Sequence, residues 1–314
     1  MSRPPTPAQP SARLAPIQRQ ARLRERLHPT HRNLRSELLA TAAFLAPALA
    51  LLAAFRLYPA AVSVAQSLQG GSLQAYRELF ADTTFLKSVR VTLAYAAMAS
   101  PATVAVSLLL ALVLQGSGRV RSLVRTACFL PSTVSMSVVA VTWGMILDPH
   151  FGLANSVLSA VGLPRQLFLA SPVQALQCLA ALSVWRNAGY WMMFFLSGME
   201  AVPKSVYEAA QLDGASPLQC AVTITVPLLA PTLGFVLVSN TVVNCLAFAP
   251  VFILTRGGPL GSTNVLMYEA YKSAFTYLDM PRSSAISTLV LAAVFALSFL
   301  ELKLIQAGFG GDRQ

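Results

Sequence analysis

The hydrophobic residues of this chain lie in long runs that contain no charged side chain. A helix needs about 20 apolar residues to cross a hydrocarbon layer about 30 Å thick. The pattern therefore predicts an all-α polytopic membrane protein with six transmembrane helices, the fifth of which occupies roughly 224–254 of the longest run. The six uncharged runs lie at 38–55, 91–118, 126–147, 166–185, 214–255 and 283–300.

The composition agrees with a membrane location. Of the 314 residues, 55% are hydrophobic and only 11% are charged. Soluble domains carry about 25% charged residues. A soluble fold built from this chain would lack the polar side chains needed to cover its surface, so the soluble classes are excluded.

The arginines indicate how the chain is oriented and divided. Residues 1–37 hold eight arginines and two acids, and the short connection at 116–125 holds three more arginines. Because basic residues collect on the cytoplasmic side, both termini and this connection are expected in the cytoplasm. The predicted parts are a basic N-terminal tail at 1–37, a transmembrane domain at 38–306 and a C-terminal tail at 307–314.

The connection between the fourth and fifth spans predicts a short helix between two membrane helices. Pro203 suits its first turn, and Gly214 suits the left-handed turn after its end. Ser216 and the proline after it predict the N-cap and first turn of a second helix. Glu208 and Asp213 give the first helix an acidic edge on a chain of net charge +11. A plain connecting elbow is the alternative interpretation.

The same connection resembles the EAA motif of ABC importer permeases. The fuller string, from Glu208 to Ser216, is similar to the carbohydrate-uptake branch, which includes maltose, raffinose and glycerol-3-phosphate permeases. Val226 departs from the leucine that usually precedes the final proline of the motif. The residues that carry the resemblance are Glu208, Ala209, Ala210, Asp213, Gly214, Ile224 and Pro227.

A second block of sequence supports the same branch. The segment beginning at Leu254 resembles its Leu-Thr-x-Gly-Gly-Pro loop. The resemblance places this loop at the outer face, near a gate where a solute-binding protein docks, whereas a plain tight turn is the alternative. The loop residues concerned are Thr255, Gly257, Gly258 and Pro259.

The resemblance implies a type I ABC importer fold and a set of partners. The loop at about 200–222 would hold the coupling helix, which docks in a groove of a cytoplasmic ATPase. Glu208 would pair with a basic residue there, and Gly214 would supply the turn. The expected partners are a second homologous permease, two ATPase subunits, an external solute-binding protein and the lipid bilayer, with no nucleic acid. The expected location is the cytoplasmic (inner) membrane of a bacterium or archaeon.

The energy source is expected to lie in another chain. No phosphate-binding Gly-x-x-x-x-Gly-Lys-Ser/Thr string occurs, so ATP and magnesium are expected in the partner ATPase and this chain is not expected to be an enzyme. No cofactor or metal site is predicted, because three histidines and four cysteines leave little room for a metal centre. An ATP-independent secondary transporter or facilitator is the alternative, although such carriers usually place ionisable groups within their spans.

Two asparagines are candidates for the translocation path. Asn240 and Asn244 are four residues apart and so share one face of the fifth helix. Amides can bind sugar hydroxyls in a cavity, although hydrogen bonding between helices is the alternative role. The solute is expected to be a sugar or a glycerol-3-phosphate-like compound. Arg186 and Arg256 are available to a phosphate.

Overall fold

The structure, a computed structural model, describes residues 31–68 and 73–309. The described residues form helices and loops, with no strand among them, which confirms the all-α prediction. The described residues divide into two compact units, with the boundary between residues 62 and 63. Most of the predicted N-terminal tail lies outside the described residues, and the predicted C-terminal tail is helical as far as Phe309.

The first described helices, which begin in the first unit and end at the start of the second, form one long apolar stretch with one wide turn. Helix α1 (His31–Leu52) passes into a π-helical turn at Ala53–Leu57 and then into α2 (Tyr58–Ser67). The stretch Leu38–Ser67 is long and apolar enough to cross a membrane, and its most apolar window has no buried residue. Side chains such as Phe44, 87% exposed, suit contact with lipid.

The second unit holds the remaining helices. Its loops include a 3₁₀ turn at Phe168–Ala170 and a π-helical turn at Cys220–Thr225. The helices in chain order are α3 (Gln74–Ala81), α4 (Thr83–Leu114), α5 (Arg119–Thr133), α6 (Met136–Ile146), α7 (Leu153–Ala160), α8 (Ala175–Glu200), α9 (Lys204–Leu212), α10 (Pro217–Gln219), α11 (Val226–Leu228), α12 (Ala230–Cys245), α13 (Ala249–Leu254), α14 (Leu266–Phe275) and α15 (Met280–Phe309).

The core is built on the close approach of α4 and α8. One face of α4 carries small residues at helical spacing, namely Ala96, Ala99, Thr103, Ser107 and Ala111, all buried. Small side chains allow membrane helices to approach closely. The hydroxyls of Thr103 and Ser107 on this face are hydrogen-bonded, because each donates to the carbonyl four residues earlier in the helix.

The six-span prediction is met only in part. Four helical stretches are long and apolar enough to cross a membrane, and a fifth is obtained if α5 and α6 count as one bent span. The run at 166–185 differs most from the prediction, since its first residues form loops and a 3₁₀ turn. Its helix, α8, begins at Ala175 and continues through Arg186 to Glu200. Arg186 and Asn187, near the middle of α8, lower its mean hydropathy. The four stretches are Leu38–Ser67, Thr83–Leu114, Ala230–Leu254 and Met280–Ile305.

The run at 126–147 is broken rather than straight. Helices α5 and α6 meet at an angle of 99°. Pro131 lacks an N–H donor, and the hydroxyls of Ser132 and Thr133 bond to the carbonyls of Phe129 and Leu130. Because these side chains compete for backbone acceptors, the helix ends at Thr133.

The last long helix, α15, contains an acid that the run pattern leaves out. Glu301 lies one residue beyond the uncharged run at 283–300, but α15 continues past it to Phe309. Its Oε1 accepts a hydrogen bond of 2.8 Å from the hydroxyl of Thr241 on α12. The apolar stretch Met280–Ile305 therefore includes one acid, although the uncharged run within it holds none.

Candidate functional site

The residues of the EAA-like motif form the predicted helix and turn. Helix α9 begins directly after Pro203, which occupies the N-cap position rather than the first turn. Gly214 follows its end with φ +78°, a left-handed conformation that glycine adopts without steric cost. The amide of Ala215 closes the turn by donating to the carbonyl of Ala210. The predicted helix and turn are thus confirmed.

The next helix begins with the predicted cap. Ser216 Oγ accepts from the amide of Gln219 at 3.3 Å, and Gln219 Oε1 accepts from the amide of Ser216 at 2.8 Å. This reciprocal capping box fixes the chain as it leaves the turn. The helix that follows is very short, because a π-helical turn at Cys220–Thr225 replaces it. Ile224 lies half-buried in this turn, and Pro227 lies exposed in α11.

One side of α9 is anchored and the other is exposed. Ala210 is buried, and the hydroxyls of Tyr207 and Thr225 lie 3.3 Å apart. Glu208 and Ala209 are exposed, and in the described part of the chain Glu208 forms no ion pair. Leu212, at the end of the helix, is 90% exposed. The helix therefore presents an acidic and apolar edge that can contact another protein.

The loop after α13 is held by internal hydrogen bonds. Thr263 is fully buried, and its hydroxyl donates to the carbonyl of Gly258 at 2.7 Å and lies 2.8 Å from the hydroxyl of Thr255. The Gly258–Pro259 peptide bond is cis. Gly257 has φ +79°, and a Cβ atom there would lie 2.9 Å from Tyr268 Cε1. This position therefore requires glycine both for its conformation and for its close packing.

A buried ion-pair network supports this loop, and sequence reasoning missed it. Glu269 is only 1% exposed, and its Oε2 lies 2.7 Å from Lys272 Nζ. Asn264, which ends the loop, donates to the same oxygen at 2.8 Å. Arg282 lies between Glu269 and Asp82 and pairs with both. The spacing of Glu269 and Lys272, three residues apart, is the one signal in the sequence that indicates part of this network.

Asp82 is the acid of this network for which a pH dependence follows. Burial raises the pKa of the Asp82 carboxyl. The hydrogen bond and charge attraction from Arg282, together with the hydrogen bonds from Thr84, lower this pKa by a larger amount. The resulting pKa lies below the ordinary value of 3.8. Because the pKa of Asp82 is depressed, its pair with Arg282 stabilises the fold at pH values above the ordinary pKa of the carboxyl. This stabilisation is lost as the pH falls through the depressed pKa.

We expect Asp82→Asn to destabilise the protein by about 1 kcal/mol at neutral pH, because Arg282 loses its charged partner while the helix cap can persist. The melting temperature of the detergent-solubilised protein measures this. The difference from the wild type should shrink progressively as the pH falls below 3.8. Glu200→Gln, which removes an exposed carboxylate, is the control and should melt like the wild type. A difference that persists at low pH would contradict the assignment.

The two asparagines share one buried face of α12, as predicted. Asn240 Oδ1 accepts from Trp191 Nε1 at 3.0 Å, and its Nδ2 donates to the carbonyl of Ser100 at 3.3 Å. Asn244 Oδ1 accepts from Ser183 at 2.9 Å, and its Nδ2 donates to the hydroxyl of Ser100 at 3.0 Å. These bonds connect α4, α8 and α12, so both side chains link helices. A role in the translocation path stays a prediction.

Asn244 also lines a cavity of about 340 Å³. The cavity lies where α8 passes the α5–α6 bend and the break between α12 and α13. Its other polar side chains are Tyr95, Ser183, Arg186 and Asn187, and the remainder of its wall is apolar or comes from residues 246–250. Sequence reasoning did not bring these residues together, because they come from three distant helices.

We expect Asn240→Leu to lower stability by about 1–2 kcal/mol, since Trp191 Nε1 and the carbonyl of Ser100 would lose their partner. The melting temperature of the solubilised protein tests this. Thr142→Val is the control, because the hydroxyl of Thr142 bonds only to a carbonyl of its own helix. Equal melting temperatures for the two variants would contradict an interhelical role for Asn240.

The fold and these local features can now be compared with known proteins. The model of a family described as "Binding-protein-dependent transport system inner membrane component" matches residues 85–309. The chain belongs to this family. The match covers α4 to α15 and therefore includes the exposed helix α9, the loop after α13 and the cavity beside Asn244 of this permease.

Two curated permeases are similar over most of their length. The chain is 32% identical over 271 residues to the sn-glycerol-3-phosphate transport system permease protein UgpA of Yersinia pestis, covering 83% of this chain and 92% of that one. It is 35% identical over 241 residues to the probable ABC transporter permease protein YurN of Bacillus subtilis, covering 75% and 82% of the two chains. Both relatives are transport permeases, so this chain has a role in transport.

A solved structure shares the fold. A chain of a bacterial alginate ABC transporter, in complex with an alginate pentasaccharide-bound periplasmic protein, superposes with a TM-score of 0.80 at 22% identity. The match covers 88% of this chain and 97% of that chain. At this identity the comparison establishes the architecture of the permease and not its solute.

Proposed function

We propose that this permease forms half of the translocation pathway of an ATP-driven ABC importer and couples to a cytoplasmic ATPase through α9. The observation that carries the proposal is the exposed edge of α9, on a helix fixed between α8 and the helices that lead into α12. Glu208 and Leu212 lie on this edge without a partner among the described residues. An edge that combines a free carboxylate with exposed apolar surface suits a protein interface.

The proposed topology has six spans with both termini in the cytoplasm. It counts the four apolar stretches, the bent pair α5–α6 and α8. Helix α8, with 26 residues, is long enough to cross a bilayer. Burial against α4 and α12 can offset the polarity of its centre. With this topology α9 and the three arginines of 116–125 lie on the cytoplasmic side, as the positive-inside rule requires.

The proposed solute is a sugar or a glycerol-3-phosphate-like compound. Support comes from the named solute of the UgpA relative and from the carbohydrate-type motif. The proposed partners are a second homologous permease, two ATPase subunits that bind ATP and magnesium, and an external solute-binding protein. The neighbouring alginate transporter was solved with a periplasmic protein bound, which supports the last of these partners.

The test is a tagged purification from native membranes in mild detergent, with mass spectrometry of the chains that accompany the permease. We expect a second six-span permease and an ATPase with a phosphate-binding motif. A known ABC importer purified in parallel is the control for complex survival. If that control survives while this chain is recovered alone or only with copies of itself, the proposal fails and an ATP-independent facilitator takes its place.

A further inference from the structure

The cavity beside Asn244 contains a charge whose role the proposed function does not explain. Arg186 lies near the centre of α8 and lines this cavity of about 340 Å³. Its Nη2 donates to the carbonyls of Ser132 and Val134 at 3.3 and 3.2 Å, and its Nη1 donates to Asn187 Oδ1 at 3.3 Å. All three acceptors are neutral, and all three bonds are long for charge-assisted hydrogen bonds.

The guanidinium has no carboxylate partner. The ion pairs among the described residues involve Lys272 and Arg282 and do not include Arg186. Arg186 Nε is buried and has no hydrogen-bond acceptor. An arginine remains charged in proteins, and an uncompensated charge at this depth is costly. The cavity therefore has a local positive charge that a bound anion can neutralise.

Other groups in the cavity suit the uncharged part of a polyol. Ser183 Oγ, Asn187 and Asn244 form a hydrogen-bonded row, with Asn187 Nδ2 lying 3.3 Å from Ser183 Oγ. Tyr95 is mostly buried and lines the same cavity. Hydroxyl and amide groups can exchange such mutual bonds for bonds to a ligand. The cavity thus combines one cation with several neutral donors and acceptors.

We infer that this cavity receives the anionic group of the transported solute, and that Arg186 selects an anionic polyol, such as a phosphate-bearing one, over a neutral sugar. The inference rests on the proposed function and adds a substrate class to it. A purely structural role for Arg186, holding the carbonyls freed at the α5–α6 bend, is the competing explanation. The two roles differ in what a neutral replacement does to anionic and neutral solutes.

The test measures solute binding by the purified transporter complex in nanodiscs. The radiolabelled probes are sn-glycerol-3-phosphate, glucuronate and maltose, which separate phosphate, carboxylate and neutral ligands. For the anion that binds, Arg186→Gln should weaken binding at least about tenfold, since a hydrogen bond to a charged group is lost. Arg186→Lys should retain most of the affinity. Arg165→Gln, which removes an exposed arginine outside the cavity, is the matched control and should bind like the wild type.

The outcomes separate the inference from the proposed function. Preferential binding of either anion, lost in Arg186→Gln, supports the anion site and identifies its chemistry. ATP-driven uptake of maltose by a wild-type complex that binds neither anion overturns the inference and leaves the proposed function intact. Equal weakening of all probes by Arg186→Gln also overturns it and assigns Arg186 to the bend. If this variant does not assemble, the wild-type complex is tested instead, with unlabelled inorganic phosphate or glucuronate competing against the labelled solute. Competition supports the inference, and the absence of competition at 100-fold excess overturns it.

Discussion

Replacing Glu208 with lysine is expected to abolish ATP-driven uptake while the permease remains in the membrane at its normal level. Glu208 is exposed on α9 and forms no ion pair among the described residues, so the substitution costs the fold little. At a docking surface, however, the reversed charge would face the basic group that the carboxylate is proposed to meet. Like charges brought together at an interface cost several kcal/mol. Uptake by membrane vesicles and immunoblotting of the permease measure the two effects.

Two controls make this test specific. Glu200→Lys reverses an exposed charge at the end of α8, eight positions earlier in the chain, and should transport normally. Gly214→Pro tests the turn itself, since the φ of +78° is closed to proline, whose φ is fixed near −65°. Its matched control is Gly162→Pro, at an exposed turn with φ +77°. Normal uptake by both Glu208→Lys and Gly214→Pro would exclude α9 as the coupling element.

Replacing Gly189 with alanine is expected to lower stability more than either of the two stability variants proposed above, Asp82→Asn and Asn240→Leu. Gly189 lies on α8 against the backbone of α5, and a Cβ atom there would lie 1.8 Å from the carbonyl oxygen of Cys128. Because backbone cannot swing aside as a side chain can, the two helices must separate. Overpacking of this kind costs about 1–3 kcal/mol and occasionally more. We expect the upper part of this range and a clear fall in the melting temperature of the solubilised protein.

Gly144→Ala is the matched control for this effect. Gly144 is also helical, but a Cβ atom there would meet only the side-chain Cδ2 of Leu254, at 3.2 Å. Alanine favours a helix over glycine by about 1 kcal/mol, which can offset a small adjustment of the leucine. The Gly144 variant should therefore melt near the wild type. A similar melting temperature for both variants would show that α5 and α8 can move apart without cost.

The parts of this fold that the sequence predicts are those determined by neighbouring residues. Pro203, Gly214 and Ser216 act within a few positions of themselves, and the helix, turn and cap they predict are present in the structure. The uncharged runs likewise locate most of the long helices, because apolar length is a local property. The bend after Thr133 is harder to predict from the sequence. A proline such as Pro131 also occurs within continuous helices, and the angle of the bend depends on what packs against it.

The parts that the sequence does not predict depend on contacts between distant segments. Arg186 interrupts an apolar run, and only the structure shows that its guanidinium reaches the carbonyls at the α5–α6 bend. Asp82 and Arg282 are 200 positions apart and still pair. The shared face of Asn240 and Asn244 follows from their spacing, whereas their partners on α4 and α8 do not. Helix periodicity gives a side chain a direction, but tertiary packing determines what it meets.

The π-helical turn at Cys220–Thr225 has a consequence for how the length of this chain can vary. A π turn closes its hydrogen bonds over one residue more than an α turn. Deleting one residue from this turn can therefore be absorbed by conversion to an α turn, and the helices on either side would keep their rotational relationship. A deletion inside α12 would instead rotate every later residue of that helix by about 100°. Natural one-residue deletions in permeases of this architecture are thus expected between α10 and α11 and, by the same reasoning, in the π-helical turn at Ala53–Leu57.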